Sequence, residues 1–495
     1  MARMRALGMP YGGTLWYNLR KYMGKGDAIM DIQAMEKQLQ KLFDEKHLPG
    51  AAVCMLGPDG EAYARGFGYR DGAGTQPVDA DTVFGIASMS KSMTALALCL
   101  LECEGKLSLE DPVAKYLPQF RVPGVPQCAV TLKHLCMHRG GLPPMEPLEW
   151  SIACNSTDRD GEWIRSMRAA APNDMSSIEQ VMEYIARCPY PTLGMPGEYM
   201  SYSNEGYAVL CYVADVAAGE RLEDYVQRRV FDPLGMTRTV MEDRCERARK
   251  LAQGNISSLF EVDADGSIVC DDAWSVMPPY RGCATVKSTA RDMAAYYRCL
   301  ANFGAHEGVQ VWPRAAVERM VGEEFPLEER PAYCLGLNKR RFGDAVICEH
   351  GGGLHGISTH GSLLLGRGWG FAALSNLGET ETCEMCWAMM NTVLGVAPDI
   401  SHGWSHPVDY AFDAPQMLAG EYICCEGEPV RVVFGVQDGG ITCQKDGKAL
   451  QPVYCGGTLF NMMEGETLSA RAEFLLRDGR AWGVRWGTRI FHREK

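Results

Sequence analysis

The chain has 495 residues, 46% hydrophobic and 22% charged, enough for two or three globular domains with an ample core. A net charge of −13 argues against nucleic acid and anionic membrane surfaces as partners. No run reaches about 18 uncharged apolar residues, so no membrane-crossing helix is expected.

Residues 1–30 read as a basic, poorly ordered leader, with Arg3, Arg5, Arg20, Lys21 and Lys25 and no signal-peptide pattern. The 20 cysteines run from Cys54 to Cys455 without a compact framework. They read as buried thiols of a reducing compartment, so a cytoplasmic location is expected. Periodic Met35, Leu39 and Leu42 predict a helix over 32–45. Residues 50–56 and 61–69, split by a Pro-Asp-Gly turn, predict a β-hairpin.

Residues 84–101 are a small-residue turn running into a segment apolar on every side, which predicts a fully buried helix stopped by Gly105. Ser88 and Lys91 lie three apart at its start, on one face. A serine hydroxyl needs a base beside it, and a lysine amine is that base only if its pKa is lowered. The pair alone is weak evidence, since a helix cap followed by a solvated lysine gives the same pattern.

Thr131 caps a predicted helix that carries His134 and His138; histidines on a short helix are more often packing groups than catalysts. Residues 145–197 are rich in turns and charge, with one helix expected near 178–188. Tyr202 and Asn204 fall in a turn ahead of a predicted helix over 208–216. A phenol there can relay a proton, and an amide can bond both a lysine and a substrate carbonyl. Gly351, Gly353 and Gly356 fit a dinucleotide pattern, but strand, turn and strand follow rather than a helix, so no nucleotide is expected. A glycine-rich strand edge instead lets a substrate lie close. Cys383 and Cys386 have metal or redox spacing without a second pair and read as a helix face. No metal and no cofactor are expected. Residues 415–495 carry ten acidic and ten basic side chains and short strands cut by glycine turns, which predicts a meander of six to eight strands, a small barrel or sandwich.

Together, Ser88-x-x-Lys91, Tyr202-x-Asn204 and His350-Gly-Gly352 resemble, in order and rough spacing, the serine β-lactamase and penicillin-binding-protein superfamily, nearest its class C-like branch. The resemblance covers about 32–395. It implies an α/β (α+β) catalytic domain over 31–400, an antiparallel sheet flanked by helices plus a helical subdomain. The rest, 412–495, resembles the lipocalin-like β-barrel appended to some members.

The implied activity is serine hydrolysis of an amide, peptide or ester bond, with acyl transfer or non-catalytic binding as alternatives. The implied roles are Ser88 as nucleophile, Lys91 and Tyr202 as general base and acid, and Asn204, His350, Gly352 and Gly353 as substrate-binding residues. The Ser88 and Gly353 N–H groups would form the oxyanion hole. The implied partner is a small molecule or a short peptide or acyl substrate, and a homo-oligomer is possible. His350 stands where true β-lactamases carry a lysine. A histidine holds a carboxylate only when protonated, so neutral substrates are expected to be preferred. Loops 145–197 and 245–282 are expected to line the pocket.

Overall fold

A computed structural model describes residues 30–322, 332–380, 382–402 and 407–494. The expected leader lies outside these residues, apart from Met30.

Helix α1 (Ile32–Glu45) has the expected bounds, with Asp31 capping it through a 2.9 Å bond from Ala34 N and Met35, Leu39 and Leu42 turned inward. Strands β1 (Gly50–Gly57) and β2 (Gly60–Gly68) form the expected hairpin. Helix α2 (Ser90–Cys103) is buried on all sides from Ser90 to Leu101, and Gly105 past its end takes φ 70. Further on come α3 (Leu132–Cys136), α4 (Pro147–Asn155), α5 (Asn204–Ala218) and α6 (Ala290–Ala301). Strands β3 (Ala332–Tyr333), β4 (Asn338–Phe342), β5 (Ala345–Leu354), β6 (Ile357–Leu364) and β7 (Trp369–Ser375) precede helix α7 (Cys383–Val393).

The main sheet has the order β3-β4-β5-β6-β7-β1-β2, antiparallel throughout. Its central strands, β1, β6 and β7, bury both faces, so β1 is apolar at every position rather than at alternate ones. Ala52, Cys54 and Leu56 join the large core that contains α2 and α6. Ala51, Val53 and Met55 face a second core, formed with α1 and α7. The sheet is thus sandwiched between helix layers, each fully buried leucine of α2 contributing about 1.5–3 kcal/mol.

Two expectations are corrected. Residues 145–197 hold three helices, α4 plus Glu162–Ala170 and Ile178–Ala186, not one. Each of the first two is only nine residues long and α4 is buried on most sides, so neither gives a sustained period, yet Leu148, Trp150, Ile164 and Met167 reach the core. Asn204 is not in a turn: it opens α5, because Ser203 is the cap, its hydroxyl accepting from Gly206 N at 3.1 Å.

The C-terminal meander resolves as a closed up-and-down barrel of eight strands. These are β8 (Gly420–Cys424), β9 (Val430–Gln437), β10 (Gly440–Lys445), β11 (Lys448–Tyr454), β12 (Leu459–Glu464), β13 (Thr467–Arg477), β14 (Arg480–Trp486) and β15 (Arg489–Arg493). Strands β8 and β15 pair to close it, and Tyr422, Phe434, Phe460 and Phe474 fill the interior edge to face.

Candidate active site

A 3₁₀ turn, Ala87–Met89, leads into α2 and carries Ser88 at the rim of the core. Ala87 takes φ 42, a left-handed conformation that costs an L-residue about 1–2 kcal/mol. Such strain gathers at functional sites. The turn is pinned by the sheet: Thr359 Oγ1 on β6 donates to Ile86 O at 3.1 Å. Gly352 on β5 passes so close that a Cβ there would lie 2.3 Å from Ile86 O, whereas the space beside Gly353 is open.

One turn on, Lys91 is wholly buried and donates to Ser88 Oγ at 2.9 Å and to Cys283 O at 3.1 Å. Burial pushes the Lys91 ammonium down, but the Cys283 thiol and Tyr202 phenol beside it push back harder and hold it above the usual lysine range. The lowered pKa that a resting lysine base requires is therefore not found. Its Nζ is 4.9 Å from the centre of the Tyr202 ring. The Tyr202 hydroxyl is buried and has no hydrogen-bond partner among the described residues. Asn204 is tied to the same group, since Cys283 Sγ donates to its Oδ1 at 3.2 Å.

His350 lies on β5, 6.1 Å ring to ring from Tyr202. Ser203 N donates to His138 Nδ1 at 3.0 Å, so His138 Nε2 carries the proton and donates to Tyr333 Oη at 3.0 Å. Tyr333 then donates to His350 Nε2 at 3.3 Å, which leaves His350 Nδ1–H for Gly351 O. The two tautomers are assigned by this network. Burial, with Lys91 nearby, takes His138 well below its ordinary value and His350 down to about 3. Both rings are neutral, and both nitrogens of His350 are used within the protein. Its substrate contact, expected from sequence, therefore does not come from a free ring nitrogen.

His138, weighed above as a packing group, sits in this chain just past α3, its ring 4.1 Å from that of Tyr202. His134 instead completes the α3 capping box. His355 lies 3.0 Å from Glu261 and 2.9 Å from Asp271. Its Nε2 has the ion-pair distance but not hydrogen-bond alignment. Cys386 donates to His360 O at 3.4 Å from the buried face of α7.

Sequence reasoning missed the barrel's share of the site. Tyr202 N donates to Thr488 O at 2.9 Å, and Ile490 N donates to Ser201 Oγ at 3.2 Å. Arg489 lies 4.3 Å above the Tyr202 ring and forks onto Glu426, which also accepts from Asn204 Nδ2 at 2.9 Å. Glu426 and Arg489 are more than 200 residues from Tyr202 in the chain, and no local pattern marks them.

A serine bonded to a buried lysine, at the head of a core helix between a sheet and its covering helices, is the arrangement of a β-lactamase-fold serine hydrolase. The Beta-lactamase family model matches residues 32–388, and the chain belongs to that family. Among its relatives, penicillin-binding protein 4* of Bacillus subtilis (strain 168) is 27% identical over 278 residues, 54% of this chain and 56% of that protein. Unguisins hydrolase ungD of Aspergillus violaceofuscus (strain CBS 115571) is 23% identical over 407 residues, 75% of this chain and 66% of that protein. The chain thus spans about half to two-thirds of these relatives' length. The octameric penicillin-binding protein homologue from Pyrococcus abyssi has a TM-score of 0.63 at 21% identity, covering 93% of this chain and all of that one. SurE has a TM-score of 0.69 at 19% identity, covering 93% and 99%. These structural likenesses establish the fold, the barrel included.

Proposed function

We propose that the chain is a serine hydrolase that cleaves an amide, peptide or ester bond through an acyl-enzyme on Ser88. The observation that carries this is the 2.9 Å bond from buried Lys91 to Ser88 Oγ, at the end of a turn pinned to the sheet. Ser88 Oγ attacks the carbonyl carbon while its proton passes to the Lys91–Tyr202 pair. That pair returns the proton to the departing amine or alcohol, and water then releases the acyl group. For the pair to take that proton it has to react one proton short of ammonium plus phenol; the Tyr202 oxygen is then the acceptor, and the positive charge of Lys91 beside it steadies the developing negative charge. The N–H groups of Ser88 and Gly353 serve the oxyanion, and Asn204 positions the substrate. The neutral His350 holds β5 through Tyr333 and adds no charge, which supports neutral amides and esters as substrates. D-amino-acid amides belong in the test panel because a D-amino acid amidase from Ochrobactrum anthropi shares the fold at a TM-score of 0.54.

Residues 31–400 and 412–495 are taken as catalytic and barrel domains, and the cytoplasm as the location, supported by 20 free cysteines. Self-association, suggested by the octameric homologue, is checked by light scattering. The deciding experiment is intact-mass spectrometry after a fluorophosphonate probe. One adduct on the native protein and none on Ser88→Ala is expected; full labelling of the alanine variant would overturn the assignment.

A further inference from the structure

Glu426 enters the site from the loop between β8 and β9, and Arg489 from the start of β15. The Glu426 carboxylate receives two N–H groups from the Arg489 guanidinium, one of them at 2.7 Å to Oε1, and a third from Asn204 Nδ2 at 2.9 Å. A planar fork plus an amide is how a protein holds a ligand's carboxylate. The position adjoins the proposed chemistry: Arg489 lies over one ring, Tyr202, that also has Lys91 beside it. The pair is only partly covered, the side chains being 25% and 18% exposed.

We propose that Glu426 is a specificity-determining residue: it fills an anion subsite built from Arg489 and Asn204, and so sets the site against acyl substrates carrying a carboxylate. The inference rests on the Ser88 acyl-enzyme reading and deepens it to a substrate class. A substrate carboxylate has to displace Glu426 or lie beside it. Neutral His350 offers no compensating charge. Glu149 and Glu205 stand close enough to Glu426 for its charge to add to the burial that pushes both up to about 7, so a second negative charge brought beside Glu426 meets the same opposition. A neutral acyl group meets no such opposition. Asn204 Nδ2 has a second hydrogen for its carbonyl.

The test compares two reversible serine-directed probes on the full chain, phenylboronic acid and 3-carboxyphenylboronic acid. The wild type is expected to bind the neutral probe about tenfold or more tightly than the acid. Glu426→Gln keeps the shape, removes the occupant's charge and leaves Arg489 unpaired. The affinity ratio should then move about ten- to hundredfold toward the acid, the size of one charge-assisted hydrogen bond. Glu426→Gln with Arg489→Gln should lose that gain. Equal binding of the two probes by the wild type overturns the proposal without any variant. So does a Glu426→Gln shift under twofold, or a gain that survives in the double variant. If the neutral probe does not bind and Ser88 takes no fluorophosphonate, the hydrolase reading itself fails. If both react and only the ratio stays still, only the role of Glu426 fails.

Discussion

Ser88, Lys91 and Tyr202 are best judged as one unit, because the lysine bonds the serine hydroxyl and stands beside the phenol. Members of such a unit are not additive. Lys91→Ala and Tyr202→Phe should each lower kcat by roughly 10² to 10⁴. The double variant should be little worse than the poorer single; multiplied losses in steady-state kinetics would show two independent groups. Tyr333 makes a different residue-scale case. Its hydroxyl accepts from His138 and donates to His350, so Tyr333→Phe strands one polar nitrogen on each ring. Leaving buried polar groups unpaired costs about 1–3 kcal/mol each. Urea denaturation should show a loss of at least about that size for this one-atom change; a neutral result would mean that water replaces the hydroxyl.

At the scale of elements, the site is a contact between a turn and a strand edge. The Ala87–Met89 turn meets β5 where Gly352 has no side chain, and a Cβ would lie 2.3 Å from Ile86 O and 2.4 Å from Thr359 Oγ1. Backbone cannot yield as a flexible side chain can, so Gly352→Ala should push β5 from the nucleophile turn. A drop in kcat of at least about 10² is expected, since about 1 Å of misplacement is enough for that. Far-UV circular dichroism should be unchanged; full activity would show that the strand need not lie so close. This is also the scale at which the sequence was most legible. The bounds of α1, the β1–β2 hairpin, all-round burial of α2 and the glycine-rich strand follow from local periodicity and turn chemistry. The three motifs are legible because each lies within a few residues of chain. Helices α4 and Glu162–Ala170 were not, because each is only nine residues long and α4 is buried on most sides. The His138–Tyr333–His350 chain was hidden because its members come from three distant elements.

At the scale of the whole molecule, the barrel is docked to the segment that carries Tyr202 by a backbone bond to Thr488 and by the Ser201 hydroxyl, with Arg489, Glu426, Glu149 and Glu205 at or near the seam. Glu205 is 3% exposed, with the Ser203 hydroxyl 3.2 Å from Oε2 and the Tyr280 hydroxyl 3.3 Å from Oε1. Burial, then the charge of Glu426, pushes its carboxyl up to about 7. In the unfolded chain a glutamate titrates near ~4.3. Between those values the folded state holds the extra proton. Stability therefore falls as pH rises through this window and levels off above about 7, once both states have lost the proton. At about 1.4 kcal/mol per unit, the penalty from Glu205 is on the order of 4 kcal/mol at the top of the window. Glu205→Gln keeps the hydrogen-bonding shape without the charge, so it should remove much of this slope. Urea denaturation from pH 5 to pH 8 should show wild-type stability falling more steeply than that of the glutamine variant, with the two closest at pH 5. Parallel curves would mean that Glu205 titrates as an ordinary surface carboxylate, and that the seam between barrel and sandwich is open to water.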